Sequence, residues 1–119
     1  MGNAFEDAPL VCIDDVGCAA LGTQHLLDLG HTALGYVGKA RPHNPHGKTP
    51  PDRLRGFTDT MHEADVRLRR DWILECDWSA ADAYGGALKL LATPDRPTAI
   101  LAGSDEMALG VMAAARELG

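Results

Sequence analysis

Residues 99–110 read A-I-L-A-G-S-D-E-M-A-L-G, and this stretch decides the fold class. A short apolar run stops at Gly103 and Ser104-Asp105-Glu106 follows. Apolar residues then recur at Met107, Val111, Ala114, Ala115 and Leu118, the spacing of one helix face. A buried strand that ends in small polar residues and passes directly into a helix is the β-α unit of a parallel sheet. The hydroxyl and carboxylates can satisfy N–H groups that the first helical turn leaves unpaired. They also stand where open α/β sheets bind ligands, beyond the carboxyl ends of the strands. Both roles are open for Ser104 and Asp105, with capping assigned foremost to Asp105.

The same unit repeats upstream. Leu10–Ile13 is an apolar run closed by Asp14-Asp15 and reads as a first buried strand. Val16, Ala19, Ala20, Leu26 and Leu27 follow helical spacing, and Gly30 is placed to end that helix. Ala33–Val37 is a second strand. Residues 38–50 have no period and contain several prolines and histidines, which marks a long loop. Thr49 opens the next helix, with Pro50 and Pro51 in its first turn and Thr49-x-x-Asp52 approximating a capping box. Leu54, Phe57, Met61 and Ala64 share one of its faces. Trp72–Glu75 reads as a third strand, Ser79-x-x-Asp82 as the cap of a third helix, and Thr98–Ala102 as the fourth strand; Gly119 is placed to close the last helix. The expected order β-α-β-α-β-α-β-α gives a doubly wound parallel sheet with helices on both faces, a three-layer α/β/α architecture. Residues 1–9 are expected to be a flexible lead-in and residues 10–119 one domain.

Composition narrows the function. The chain has 119 residues, 45% of them apolar, enough for a real core, but only 5% are aromatic. Its formal net charge is −6, and the short basic run Arg67, Arg69, Arg70 lies beside Glu63, Asp65 and Asp71. That pattern is a solvated surface rather than a nucleic-acid footprint. Cys12, Cys18 and Cys76 lack C-x-x-C spacing and read as reduced thiols. No run is long enough to span a membrane. His43-x-x-His46 lies in a proline-rich loop without the H-E-x-x-H pattern, so no metal site is expected. There is no P-loop, no G-x-S-x-G and no dinucleotide glycine pattern, and no nucleophile has a general base beside it in sequence. The expectation is a binding protein without cofactor rather than an enzyme.

A parallel sheet brings the ends of all its strands to one edge. That edge collects Asp14 and Asp15, the 38–49 loop, Asp77, Trp78 and Ser79, then Ser104, Asp105 and Glu106, with Arg53 in the first turn of the second helix. Carboxylates, one arginine and one indole suit a polyhydroxylated ligand such as a sugar. Its hydroxyls need donors and acceptors, and its C–H face stacks on an aromatic ring. Each residue also has a structural alternative: Trp78 as a core plug, Arg53 as a surface ion pair, Thr49 as a helix cap.

The segments V-C-I-D-D-V-G-C-A-A, H-L-L-D-L-G-H-T-A-L-G-Y-V-G, R-L-R-G-F, D-W-S-A and P-T-A-I-L-A-G-S-D-E-M-A-L-G, in this order, resemble the ligand-binding domain of LacI/GalR transcriptional regulators. The likeness runs from Leu10 to Gly119 and implies the second lobe of a type I periplasmic-binding-protein-like fold. It places effector binding on Arg53, with Thr49 four residues earlier, Trp78 stacking on the ligand, and Ser104 reaching into the cleft. Asp15 stands where the family often has Asn. The resemblance implies a cytoplasmic regulator that senses a sugar or sugar derivative between two lobes. It would read DNA through a helix-turn-helix, for which this sequence offers no match. It would pair as a homodimer partly through this lobe, with Tyr84, Leu109 and Met112 as contact candidates. In the family a further strand follows the last helix, so an unpaired sheet edge is expected here. A fragment of a transport-type sugar-binding protein is the alternative reading.

Overall fold

The computed structural model describes residue 9 and residues 11–39, 49–77 and 79–119, with the backbone alone for 49–51. Along the described chain run α1 (Asp15–Asp28), β1 (Leu34–Gly38), α2 (Thr49–Glu63), a single 3₁₀ turn (Arg70–Trp72), β2 (Ile73–Glu75), α3 (Ala80–Leu91), β3 (Ala99–Ala102) and α4 (Asp105–Leu118). The three strands are parallel in the order β2-β1-β3. Tyr36 lies opposite Ile73 on one side and Leu101 on the other.

Alternation along the strands builds two cores. Leu34 and Tyr36 of β1 point to one face with Ile73, Ala99 and Leu101, where Phe57 and Met61 of α2 and Leu26 and Leu27 of α1 cover them. Val37 points to the other face with Leu74, Ile100 and Ala102, under Ala83 of α3 and Met107 and Val111 of α4. The α/β/α layering read from the sequence is therefore observed. Tyr36 and Phe57 stack with ring centroids 5.4 Å apart. Burying each such side chain contributes about 1.5–3 kcal/mol.

Helix pairs on the two faces are drawn together by glycines. A Cβ on Gly56 of α2 would sit 2.9 Å from Ala19 Cβ, and closer still to the Val16 carbonyl oxygen of α1. A Cβ on Gly110 of α4 would lie 2.9 Å from the Tyr84 amide nitrogen, and closer still to the Ala80 carbonyl oxygen of α3. Gly30 ends α1 at φ +95°, with Gly30 N–H donating to Leu27 O and His31 N–H to Leu26 O, the paired bonds of a Schellman motif. Helix α2 ends with the same two bonds, from Asp65 and Val66 to His62 and Met61, although Asp65 holds the left-handed position at φ 55°.

One expectation fails. Residues 11–13 of the expected first strand are irregular and join no sheet, with Val11 97% and Ile13 65% exposed; Leu10 lies outside the described residues. Both sides of β1 are already taken, by β2 and β3, so the segment has no place at the sheet centre. Hydrophobicity marks a run as suited to being covered, but not which surface covers it. The other strands start one residue later than expected, and Trp72 belongs to the 3₁₀ turn. The expected flexible lead-in and the loop histidines fall on residues outside the description, apart from Pro9.

Candidate functional site at the strand ends

Strands β1 and β3 and the starts of α1, α2 and α4 converge on one cavity of about 720 Å³, within the range of small-molecule sites. Asp15 begins α1, Tyr36 comes from β1, Arg53 from α2, and Gly103, Ser104 and Asp105 lead from β3 into α4. The cavity continues along the outer side of β3, between Cys18 and Ala19 of α1 and Val111 and Met112 of α4. Among the described residues β3 has a strand partner on its β1 side only.

Arg53 organises the polar end. Its Nε donates to Asp15 Oδ1 at 2.8 Å, and its Nη1 donates to the carbonyl oxygen of Gly103. The ion pair is well shielded, with side chains 24% and 11% exposed. It ties the start of α1, the first part of α2 and the end of β3 into one unit, across 38 residues for one bond and 50 for the other. Beneath it lies the Tyr36 hydroxyl, close over Gly38 and Gly103. A Cβ on Gly38 would fall 2.7 Å from that oxygen and one on Gly103 3.1 Å from it, so both positions leave room for the phenol. Burial pushes the Tyr36 pKa up to about 12; the nearby Arg53 charge acts the other way, and Cys76 and Asp15 reinforce the rise.

Ser104 is the N-cap of α4: its hydroxyl oxygen accepts from Met107 N–H at 3.2 Å. Asp105 is the first helical residue and is exposed. The sequence reading had given the cap to Asp105, so this is a correction. Ser104 has the extended backbone of an N-cap, φ −153° and ψ 164°, whereas Asp105 is already inside the helix. Both residues still line the cavity. Asp14 caps α1 by accepting from Gly17 N–H at 3.0 Å, and lines a separate outer depression with Gly17, Gln24 and Glu63. Its neighbour Asp15 is the carboxylate that meets Arg53. Ser79 caps α3 as expected, accepting from Asp82 N–H at 3.1 Å, while Asp82 Oδ2 accepts from Asp77 N–H at 2.7 Å. Lys39 Nζ stands 3.9 Å from Asp77 Oδ1. Thr49 opens α2 one turn before Arg53, but its side chain and all of Trp78 lie outside the described residues.

Of the contact candidates, Leu109 and Met112 are exposed on α4 and Tyr84 is half-buried, its hydroxyl donating to the Glu117 carboxylate across α3 and α4. That bond raises the Tyr84 pKa. At the opposite end of the sheet, Arg69 pairs with Asp71 and Asp95 and stacks over Trp72 at 4.2 Å from the ring centroid. This clamp joins the 3₁₀ turn to the loop before β3 and is remote from the strand ends. Among the described residues no three metal-ligating side chains cluster, and no helix is long and apolar enough to cross a membrane.

A three-layer lobe with a parallel sheet and a cavity at its strand ends has the architecture of a periplasmic-binding-protein-like lobe. The chain belongs to the periplasmic binding protein-like domain family, whose model matches residues 23–119. Within that family it carries the LacI/GalR likeness along nearly its whole length. It is 33% identical over 118 residues to the HTH-type transcriptional repressor PurR of Mannheimia succiniciproducens, covering 99% of this chain and 34% of that repressor. A LacI-family regulatory protein from Chloroflexus aggregans superposes with a TM-score of 0.84 at 29% identity, over 99% of this chain and 42% of that one. A sugar-binding LacI-family regulator from Escherichia coli, complexed with phosphate, superposes with a TM-score of 0.80 at 25% identity, over 92% of this chain and 38% of that one. The chain thus spans about a third of the length of the curated relatives it matches.

Proposed function

We propose that this chain is the effector-sensing lobe of a LacI/GalR-type transcriptional regulator. It contributes one wall of a cleft for a sugar or sugar derivative. The carrying observation is Arg53, held at the cavity mouth by Asp15 and Gly103 O with Ser104 and Asp105 beside it. This is a preorganised set of donors and acceptors at the end of a parallel sheet, where such folds bind ligands. Thr49 and Trp78 complete the wall on this reading. Among the described residues Arg53 bonds to Asp15 and Gly103 O, and Ser104 to the first turn of α4, an arrangement that fixes donors and acceptors for binding.

In the whole regulator the effector would lie between this lobe and a second one. Preference of the effector for one lobe arrangement would then change DNA binding elsewhere in the protein. The regulator would act in the cytoplasm as a homodimer, with Leu109, Met112 and Tyr84 at the contact. The relatives named above are repressors and regulators, which favours this reading over a transport protein. The coding sequence around these residues tests it: a basic helix-turn-helix upstream supports it, and an export signal overturns it in favour of transport. Calorimetry on the 119-residue chain with simple sugars should give weak or undetectable heats, because half the cleft is supplied by the other lobe. Micromolar binding would refute the two-wall arrangement.

A further inference from the structure

We propose that Asp15 sets the charge selectivity of the Arg53 cleft, so that the cleft rejects anions and its ligand is an uncharged, hydroxyl-bearing molecule. The proposal rests on the reading of this cavity as a small-molecule site. A guanidinium in a half-shielded cleft is ordinarily a receptor for phosphate or carboxylate, whose oxygens match its fork of donors. Here the Nε edge is already bonded to a carboxylate at 2.8 Å, and Nη1 is given to a backbone carbonyl. An anion reaching Arg53 would also meet the Asp15 charge, in surroundings where both side chains are too covered for salt to screen them fully.

The same neutralisation recurs at the other features that would attract an anion. The N-terminus of α4 opens on the cavity, and its first turn carries Asp105 and Glu106. The N-terminus of α1 is capped by Asp14 and begins with Asp15. In each case the chain's own carboxylates occupy the positive end of the helix dipole. On the neighbouring side Lys39 faces Asp77 at 3.9 Å. A neutral hydroxyl meets no such penalty. It can donate to the Asp15 carboxylate and accept from the Ser104 hydroxyl, both of which line the cavity.

Asp15→Asn isolates the charge, since the amide oxygen can still accept from Arg53 Nε in the same shape. The experiment titrates inorganic phosphate into the chain at constant ionic strength, reading binding by isothermal titration calorimetry in every variant and, where Arg53 is present, also by its Nε–Hε NMR resonance. The wild type should show no saturable shift. Asp15→Asn should bind phosphate at least about tenfold more tightly, the effect of removing one nearby like charge at intermediate dielectric. Adding Arg53→Gln to that variant should abolish the gain. Saturable phosphate binding at Arg53 in the wild type would overturn the proposal, as would a variant that gains nothing. Binding that survives Arg53→Gln would mark an adventitious ion only and would overturn it as well. Thermal melting establishes that each variant is folded, and Asp15→Ser replaces Asp15→Asn if the latter is not. Failure of every sugar to bind the full-length, two-lobed regulator, with the phosphate results as expected, would remove the sugar-sensor reading and leave the charge selectivity standing.

Discussion

Gly56→Ala tests how the site is assembled. The added methyl would lie 2.9 Å from Ala19 Cβ and nearer still to the Val16 carbonyl oxygen. Carbon atoms settle at about 3.5–4.0 Å, so α1 and α2 must separate by roughly 0.6 to 1 Å. Overpacking costs about 1–3 kcal/mol, and a clash with a backbone oxygen that cannot rotate aside belongs to the upper part of that range, about 2–3 kcal/mol. Alanine's better helix propensity offsets about 0.8–1 kcal/mol of that. The net destabilisation is about 1–2 kcal/mol, which for a domain of this size lowers Tm by roughly 4–10 °C. Gly85→Ala is the control, because a Cβ at Gly85 in α3 meets nothing within 4 Å. It keeps the propensity gain and should be neutral or stabilising by up to about 1 kcal/mol. Circular-dichroism melts of the two variants beside the wild type give the comparison. Because Asp15 and Arg53 sit on the two helices pushed apart, the Arg53 Nε–Hε resonance should also move in Gly56→Ala and stay fixed in Gly85→Ala. Gly56→Ala melting at or above the wild-type temperature would refute the close-approach argument.

Ser104→Ala removes the α4 cap and should cost about 1 kcal/mol, whereas Asp105→Ala loses only a first-turn charge worth about 0.3–1 kcal/mol; the reverse order in thermal melts would return the cap to Asp105. Alkaline stability should report Tyr36. Its pKa is pushed up to about 12 in the fold against about 10 in an unfolded chain. Between those values the folded state holds the proton that the unfolded state has lost, so its contribution is fully present below pH 10 and disappears as pH rises toward 12. The loss is roughly 2–3 kcal/mol by the time pH reaches the folded pKa. Urea melts across that window should flatten in Tyr36→Phe, and an unchanged slope would show that another group carries the effect.

The parts of the fold that were legible in the sequence are those where local chemistry leaves one solution. Gly30 could end α1 because a left-handed residue suits glycine, and Ser79-x-x-Asp82 announced its helix. Asp65 takes the same left-handed position at the end of α2 without glycine, and nothing in the sequence marked it. Leu10–Ile13 was over-read because an apolar run carries no record of its partner. At the site, strand order placed Ser104, Asp105, Arg53 and Asp15 at one edge. The bond between Asp15 and Arg53 spans 38 residues and could not be read from spacing. Asp14 and Asp15 stood together at that edge, and which of them meets Arg53 is a matter of one residue of helical phase, which only the start of α1 decides.

Arg53 holds together three chain segments besides lining the cavity. A residue with two employments is a poor point for evolutionary retuning, since any replacement that alters recognition also loosens the scaffold. If the cavity holds an effector as proposed, preference for one effector over another is free to drift only at positions that touch it without supporting the lobe. A screen for altered effector response that selects for folded protein should therefore return changes around Arg53 and leave Arg53 itself untouched.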